Sequence, residues 1–132
     1  MNSTSGTIEF DALPGEIANI RTPVTSIGQW HHVVATYDSD TKTAKIYFNG
    51  AFSQQAANVD MNTNSPVNIN IASPENNRFD GIIDEVAIFN VALDAGEIND
   101  IMTKGLGTAS GITAVDLSGK MVTTWANIKD LY

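Results

Sequence analysis

The dipeptide Asn49–Gly50 constrains the fold of this 132-residue chain more than any other feature. It separates residues 43–48, in which polar and apolar side chains alternate, from residues 51–57. Asn and Gly are the residues that best tolerate the positive φ angles of both central positions in a type I′ turn. We therefore predict a β-hairpin in which 51–57 pairs back on 43–48, with Tyr47 on its outward side.

Other segments with the composition of β-strands lie before and after this hairpin. The strongest covers residues 30–37, which carry apolar side chains on both faces and are therefore expected to form a central strand. This strand places His31 on the same face as Val33 and Ala35, toward the core. The remaining predicted strands cover residues 7–10, 17–21, 67–71 and 79–90.

After residue 90 the hydrophobic period changes from two to about 3.6, which predicts a helix. Asp94 and Glu97 have the spacing of a capping box at its start, and Gly105 follows its end. The apolar stripe of this helix is predicted to consist of Ile98, Ile101 and Met102. A second amphipathic helix is predicted after residue 118, from the helical spacing of Met121, Trp125, Ile128 and Tyr132.

Antiparallel strands followed by helices predict an all-β fold, an antiparallel β-sandwich with one or two short C-terminal helices. We assign residues 1–105 to a single domain. Residues 106–132 are assigned to a tail that packs on the sandwich or on a partner chain. Because the chain has no Cys, disulfides cannot stabilise it and the stability has to come from a hydrophobic core.

The charge balance excludes several classes of partner. Seven Lys and Arg against fifteen Asp and Glu give a net charge of −8, so we expect neither nucleic acid nor an anionic membrane surface to bind. No apolar run reaches the roughly 18 residues of a membrane-spanning helix, and we expect no membrane insertion. The first residues also lack the basic and apolar regions of a signal peptide.

Three blocks resemble the successive signatures of laminin-G-like, concanavalin-A-like domains, and together they cover about residues 7–102. They are GQWHHVVATYD at 28–38, KIYFNG at 45–50, and FDGIIDEVAIFNVAL at 79–93 with Glu97-Ile98. The resemblance implies a jelly-roll β-sandwich of the lectin and glucanase type. It also implies a noncatalytic carbohydrate-binding or adhesion module of a secreted or cell-surface protein, with a polysaccharide or glycan as partner.

The chain departs from the family because only residues 7–21 precede the Trp-His-His block, where family members have several strands. We therefore expect an incomplete sandwich with an uncovered apolar face. Covering several hundred Å² of such surface is worth roughly ten kcal/mol, comparable with the stability of a whole domain. The cover is expected from a second copy of the chain, from the tail with Trp125, or from missing upstream sequence. Cover by a second copy predicts a homo-oligomer. It also predicts an alternative function, that of a structural module that self-associates through its uncovered face.

Five residues are candidates for ligand binding. Trp30 presents an aromatic ring that could stack on a sugar, unless it belongs to the core. Tyr47 and Asn49 are expected on the outward side of the hairpin, and Asn68 and Asn70 on the outward face of their strand. Amide groups at such positions donate hydrogen bonds to hydroxyls, although an exposed Asn is otherwise only solvated.

Asp80 and Asp84 are candidates for a calcium site, because carboxylate oxygens are the ligands that calcium selects. The resemblance implies that the residue at the position of Asp84 helps to hold a structural calcium. The alternative is that Asp84 accepts a hydrogen bond from a loop or a backbone amide. His31 and His32 are adjacent in a predicted strand, so they point to opposite faces and cannot jointly bind a metal.

The chain is predicted not to be an enzyme. Glycosidases of the related fold use two closely spaced carboxylates in a Glu-x-Asp-x-Glu arrangement, and no such run occurs. The Gly-x-Ser-x-Gly and His-Glu-x-x-His patterns and a phosphate-binding Gly-rich loop are also lacking.

Overall fold

A computed structural model describes residues 6–10, 20–24, 26–61 and 79–107. Within these residues, two antiparallel sheets and one short helix form an incomplete β-sandwich, which confirms the predicted fold class. The first sheet pairs β1 with β2, and the second has the order β3-β4-β5. The elements are β1 (Gly6–Phe10), β2 (Ile20–Val24), β3 (Val33–Asp38), β4 (Thr43–Phe48), β5 (Ala51–Ala56) and α1 (Ala95–Lys104).

The predicted hairpin is formed by β4 and β5. Phe48 lies opposite Ala51, which leaves Asn49 and Gly50 as a two-residue turn with φ angles of 48° and 77°. Positive φ at both positions is the property of a type I′ turn, so the turn prediction is confirmed. A Cβ at position 50 would overlap Oδ1 of Asn99 in α1, so the glycine also allows the turn to approach the helix closely.

The central strand of the described sheet is β4, and both of its faces are buried. Ala44 and Ile46 pack against Ile20 of β2 and against Val59. Tyr47 points to the other face, where it packs against residues of the helix layer: Leu93, Ile98 and Ile101. The second sheet is therefore covered by β1 and β2 on one face and by α1 on the other.

Helix α1 begins and ends at the predicted residues. Asp94 Oδ1 accepts a hydrogen bond from the Glu97 N–H at 2.9 Å, and the Glu97 carboxylate accepts one from the Asp94 N–H at 2.8 Å. These two bonds form the predicted capping box. Leu93 precedes the N-cap and packs against Ile98 in the way of a hydrophobic staple. The predicted stripe is confirmed for the two isoleucines, whereas Met102 is 38% exposed.

Strand β2 lies further along the chain than predicted, and it includes Thr22 and Pro23, where the sequence indicated an end. Pro23 lacks an N–H, but an edge strand tolerates this, and the residue lies opposite Thr7 of β1. Side chains of β5 hold β2 in place. Ser53 Oγ donates to Thr22 Oγ1 at 3.0 Å, and the Arg21 N–H donates to Gln54 Oε1 at 2.7 Å.

The prediction of a strand over residues 79–90 is wrong. These residues form neither helix nor strand, and Ile82, Ile83 and Ile88 are exposed. A strand requires a partner for its backbone hydrogen bonds, and no described strand pairs with this segment. Apolar β-branched composition alone therefore does not produce a strand here.

Several predictions fall outside the described residues. They concern the strand at 67–71 with Asn68 and Asn70, the second helix with Trp125, and the packing of the tail. The domain boundary at residue 105 and the cover of an apolar face also stay predictions. In the described part of the chain, no helix has the length and apolar character needed to cross a membrane.

Candidate functional site

The loop 26–32 and the turn Asn49–Gly50 meet at one end of the second sheet. We name this region, residues 26–32 with 49 and 50, the Trp30 corner. Its backbone is closed by a hydrogen bond of 2.8 Å from the Asn49 N–H to the His32 carbonyl. Gly28, with φ of 80°, turns the chain within the loop. Two segments that are distant in sequence thus form one surface.

The Asn49 side chain joins these two segments. Its Oδ1 accepts a hydrogen bond from the His32 N–H at 3.0 Å, and its Nδ2 lies 3.2 Å from Nδ1 of His31. Since Oδ1 acts as the acceptor, Nδ2 is the donor toward the histidine ring. The predicted ligand residue is exposed as expected, and its amide group already holds the loop.

His31 is held on both ring nitrogens. Its Nε2 lies 2.7 Å from the carbonyl oxygen of Ser26, which can only accept a hydrogen bond. The proton is therefore on Nε2, and Nδ1 accepts from Asn49. The ring also packs against Phe48, with the two centroids 4.8 Å apart. The predicted packing and hydrogen-bonding role of this histidine is present, and it does not require a metal.

The loop geometry corrects the prediction for residues 30–37, because the strand begins at Val33. Val33 lies opposite Phe48, the last residue of β4, so Trp30 to His32 have no strand residue opposite them in β4. Val33 and Tyr37, on the predicted core-facing side of the strand, pack against the core cluster of Ile46, whereas Ala35 on the same side is exposed. The strand is also at the edge of the described sheet, where the sequence predicted a central position.

Trp30 projects from this restrained loop, and 68% of the residue is exposed. The residues after it are fixed by the bonds of His31 and His32 to Asn49, so the position of its backbone is well defined. Of the two alternatives weighed from the sequence, a core tryptophan or an exposed ring, the structure shows the exposed ring. Such a ring offers a flat apolar surface to a ligand.

His32, the last residue of loop 26–32, is partly buried. Its Nδ1 is buried, and it has no hydrogen-bond partner among the residues that the structure describes. Burial lowers the pKa of His32 below the ordinary value of 6.5, whereas the nearby Glu85 carboxylate acts in the opposite direction. The burial effect is the larger one, so the imidazole is neutral at neutral pH.

Tyr47 was expected on the outward side of the hairpin, and that expectation is wrong. The residue is only 7% exposed and packs against Leu93 and Ile98. Its ring also meets Phe52 edge-on, with centroids 5.9 Å apart. The face of β4 that the alternation marked as outward is covered by α1, so we do not include Tyr47 in the site.

Asp80 and Asp84 are both exposed. Asp84 Oδ1 accepts a hydrogen bond from the Glu85 N–H at 3.0 Å, which is the alternative that the sequence left open. Calcium takes six to eight oxygen ligands, and the described residues contain no group of three or more His, Cys, Asp or Glu that could hold a metal. These residues do not form a calcium site by themselves, and calcium binding stays a prediction.

The structure adds two contributions that sequence reasoning missed, the bonds made by Asn49 and the exposure of Ile27 beside Trp30. The signal for the first was present, because an Asn in a tight turn has a short amide that reaches neighbouring backbone. The corner combines an aromatic ring, amide groups and backbone carbonyls. This combination suits recognition of a neutral ligand.

The comparisons with known proteins give one match. The family model of the concanavalin A-like lectin/glucanases superfamily matches residues 2–99, which is more than half of the chain. Neither a curated protein nor a solved structure matches it significantly. The matched range contains both sheets, the Trp30 corner and the start of α1. The chain therefore belongs to the concanavalin A-like lectin/glucanase superfamily.

Proposed function

We propose that this protein is a noncatalytic carbohydrate-binding module of a secreted or cell-surface protein, and that it binds a glycan at the Trp30 corner. The observation that carries the proposal is the exposed Trp30 ring on a loop whose neighbouring residues are fixed by hydrogen bonds. Membership of a superfamily of lectins and glucanases supports glycan binding in general. Fold alone does not specify a ligand, so the proposal depends on the site.

The chemistry of the corner favours a neutral sugar. One face of a pyranose ring presents C–H groups, which pack on the face of an indole ring. The chain carries a net charge of −8, which disfavours sulfated or uronic acid polymers through repulsion. We therefore expect a neutral polysaccharide to bind more tightly than an acidic one of the same length.

A binding role is also more consistent with the described residues than hydrolysis is. Hydrolysis of a glycosidic bond requires two carboxyl groups on either side of the bond. The described residues of the Trp30 corner include no Asp or Glu. Laminin-G-like domains are typically noncatalytic and extracellular, which agrees with this assignment and with a surface or secreted location.

The test is binding to an array of neutral and acidic polysaccharides, with and without EDTA, for the wild type and two variants. Trp30→Ala is expected to weaken binding by about tenfold or more, because burial of an aromatic side chain is worth about 1.5–3 kcal/mol. Val91→Ala is the control, since this apolar residue is 62% exposed and lies outside the Trp30 corner. We expect it to change binding by less than about twofold.

The proposal is wrong if no polysaccharide binds, or if Trp30→Ala binds as tightly as the wild type. Loss of binding in EDTA would support the predicted calcium site, and unchanged binding would argue against it. Far-UV circular dichroism of each variant checks that a loss of binding is not a loss of folding.

The alternative function, self-association through an uncovered face, has one observation in its favour. Exposed isoleucines lie along residues 79–92. The mass in solution, measured by sedimentation equilibrium over a range of protein concentrations, tests this alternative. It requires an oligomer, whereas glycan binding is compatible with a monomer.

A further inference from the structure

Residues 79–92 have the composition of a strand without being one. Their sequence, FDGIIDEVAIFNVA, is rich in β-branched and aromatic residues, which favour strands. In the structure this segment has no regular secondary structure, and every residue from 79 to 85 is exposed. Ile82 is 76% exposed, the highest value among the large apolar residues of the described chain. We name residues 79–92 the acidic segment, because they include Asp80, Asp84 and Glu85.

One end of the acidic segment is fixed to the domain. Phe89 packs on the core cluster that contains Tyr47 and Ile98, and Leu93, the residue after the segment, is buried in that cluster. The N-cap of α1 follows at Asp94. The exposed half of the segment is therefore attached to the folded domain through Phe89 and Leu93, and this attachment fixes where a partner would bind.

The backbone of this segment determines which kind of partner fits. Backbone N–H and C=O groups of a strand require a ladder, and no described strand supplies one. A lipid surface or a helix would cover the isoleucine side chains but would leave those backbone groups unpaired. Only another extended chain satisfies both the backbone and the apolar side chains, as in β-strand addition.

The negative charge of the acidic segment favours an extended partner chain that carries basic residues. The acidic segment contains three carboxylates and no Lys or Arg, and the whole chain has a net charge of −8. Pairing with a second copy would bring six carboxylates into one ladder, and like charges on facing strands are destabilising. A strand with basic residues would instead place positive charges near Asp80 and Glu85.

We propose that the acidic segment binds an extended, basic segment of another polypeptide by β-strand addition, and that it becomes a strand in doing so. Apolar residues of the partner contact Ile82 and Ile88, and its Lys or Arg side chains face the carboxylates. Glu85 has a φ of 51°, so pairing requires this residue to leave the left-handed region or to form a bulge. The acidic segment adjoins the Trp30 corner, because Glu85 acts electrostatically on His32, but the peptide interaction does not require a bound glycan.

The test uses the full chain and a short blocked peptide in which lysine alternates with valine and threonine. Binding is measured by calorimetry, and hydrogen exchange followed by NMR reports the protection of individual amides. We expect saturable binding that weakens with added salt, together with new protection of amides between Ile82 and Ile88. A peptide with glutamate in place of lysine is expected to bind at least about tenfold more weakly.

Two pairs of matched variants locate the contact. Ile82→Ser is expected to weaken binding by about tenfold, whereas Ile27→Ser, at another highly exposed isoleucine, leaves it unchanged. Glu85→Asn removes a charge and tolerates positive φ, and it is expected to weaken binding by about twofold to fivefold. Asp40→Asn, in the exposed turn between β3 and β4, is its control and has no effect.

Four results would overturn the proposal. They are absence of binding, equal binding of the glutamate peptide, equal binding of a lysine peptide whose alternate backbone amides are methylated, and a dimer without peptide that Ile82→Ser disrupts. The last result would identify a second copy as the occupant. Circular dichroism and thermal unfolding verify that each variant is folded.

Discussion

The β4–β5 hairpin and the acidic segment 79–92 both contain strand-forming sequence, but only the hairpin forms strands. In the hairpin the partner strand is two residues away, and Asn49 and Gly50 adopt the turn that brings it back. In the acidic segment no turn and no described strand supplies a partner. Ile46 of the hairpin is consequently fully buried, whereas Ile82 is 76% exposed.

This difference shows that strand propensity describes how well a residue fits a sheet, and not whether a sheet forms. The backbone groups of a strand are satisfied by another strand, so the outcome depends on the position of the partner. Where the partner is encoded locally, the sequence predicts the strand correctly. The following predictions test how far the two regions differ.

The largest difference is expected between two truncations of isoleucine. Ile46→Ala removes a fully buried side chain between the sheets and should lower the free energy of unfolding by about 2–5 kcal/mol. Ile82→Ala should change it by less than about 0.5 kcal/mol, since the side chain is exposed. Urea unfolding followed by tryptophan fluorescence measures both values. If Ile46→Ala does not fold, Ile46→Val, with an expected loss of about 0.5–1.5 kcal/mol, replaces it.

The turn of the hairpin is tested by two glycine substitutions. Gly50→Ala and Gly28→Ala each force an alanine into the left-handed region, which costs roughly 1–2 kcal/mol. Only at position 50 would the new Cβ also overlap a side chain, that of Asn99. We therefore expect the free energy of unfolding to fall further for Gly50→Ala. Equal losses in urea titrations would show that the contact between the turn and α1 is unimportant.

The helix that follows the acidic segment is expected to depend on its N-cap. Asp94→Ala removes the acceptor for the Glu97 N–H and should lower the free energy of unfolding by about 1 kcal/mol. Asp94→Ser keeps an acceptor at this position and should cost much less. The midpoint of thermal unfolding, monitored by circular dichroism, compares the two. A similar loss for both variants would contradict the capping role.

The smallest effect is expected from pH. Because the pKa of His32 is lowered in the folded protein, the unfolded chain binds more protons between that pKa and the ordinary value of 6.5. The stability contribution of the neutral imidazole is therefore complete above about pH 6.5 and decreases on acidification. Replacement of the histidine by Asn should flatten the dependence of the unfolding free energy on pH between about pH 7 and pH 5.

The Glu85 carboxylate is the opposing charge near this histidine, so Glu85→Asn should make the decrease on acidification steeper. Asp38 affects the free energy of unfolding in a separate, more acidic pH range. Its pKa is lowered mainly by hydrogen bonding to the backbone of Thr41, so its contribution is present above about pH 3.8 and is lost in stronger acid. Identical pH profiles for the wild type and the His32 variant would contradict the assignment to His32.

The local features of the fold were predictable from the sequence. The Asn-Gly turn, the capping box of Asp94 and Glu97, and the buried pair Ile98 and Ile101 each depend on residues within a few positions of one another. Three blocks of residues also indicated the family, which the match over residues 2–99 confirms. For the candidate site, Asn49 is exposed as predicted, and for Trp30 the structure shows the exposed ring, one of two alternatives that the sequence left open.

Other features of the site were not predictable because they depend on packing between distant residues. Tyr47 alternates as an outward residue, yet α1, about fifty positions later in the chain, covers it. The strand after loop 26–32 begins at Val33 because β4 ends at Phe48, and no property of Trp30 or His31 indicates that limit. The bond from Asn49 to His31 likewise joins residues 18 positions apart.

The sequence by itself determined the turns, the helix ends and the alternation of side chains, because these follow from interactions over a few residues. The tertiary structure decided which alternating segment became a strand and which face was buried. Burial and backbone pairing require surfaces from distant parts of the chain to meet, as β4 meets α1. For residues 79–92 no described strand offers such a surface, and their strand-forming sequence remains exposed.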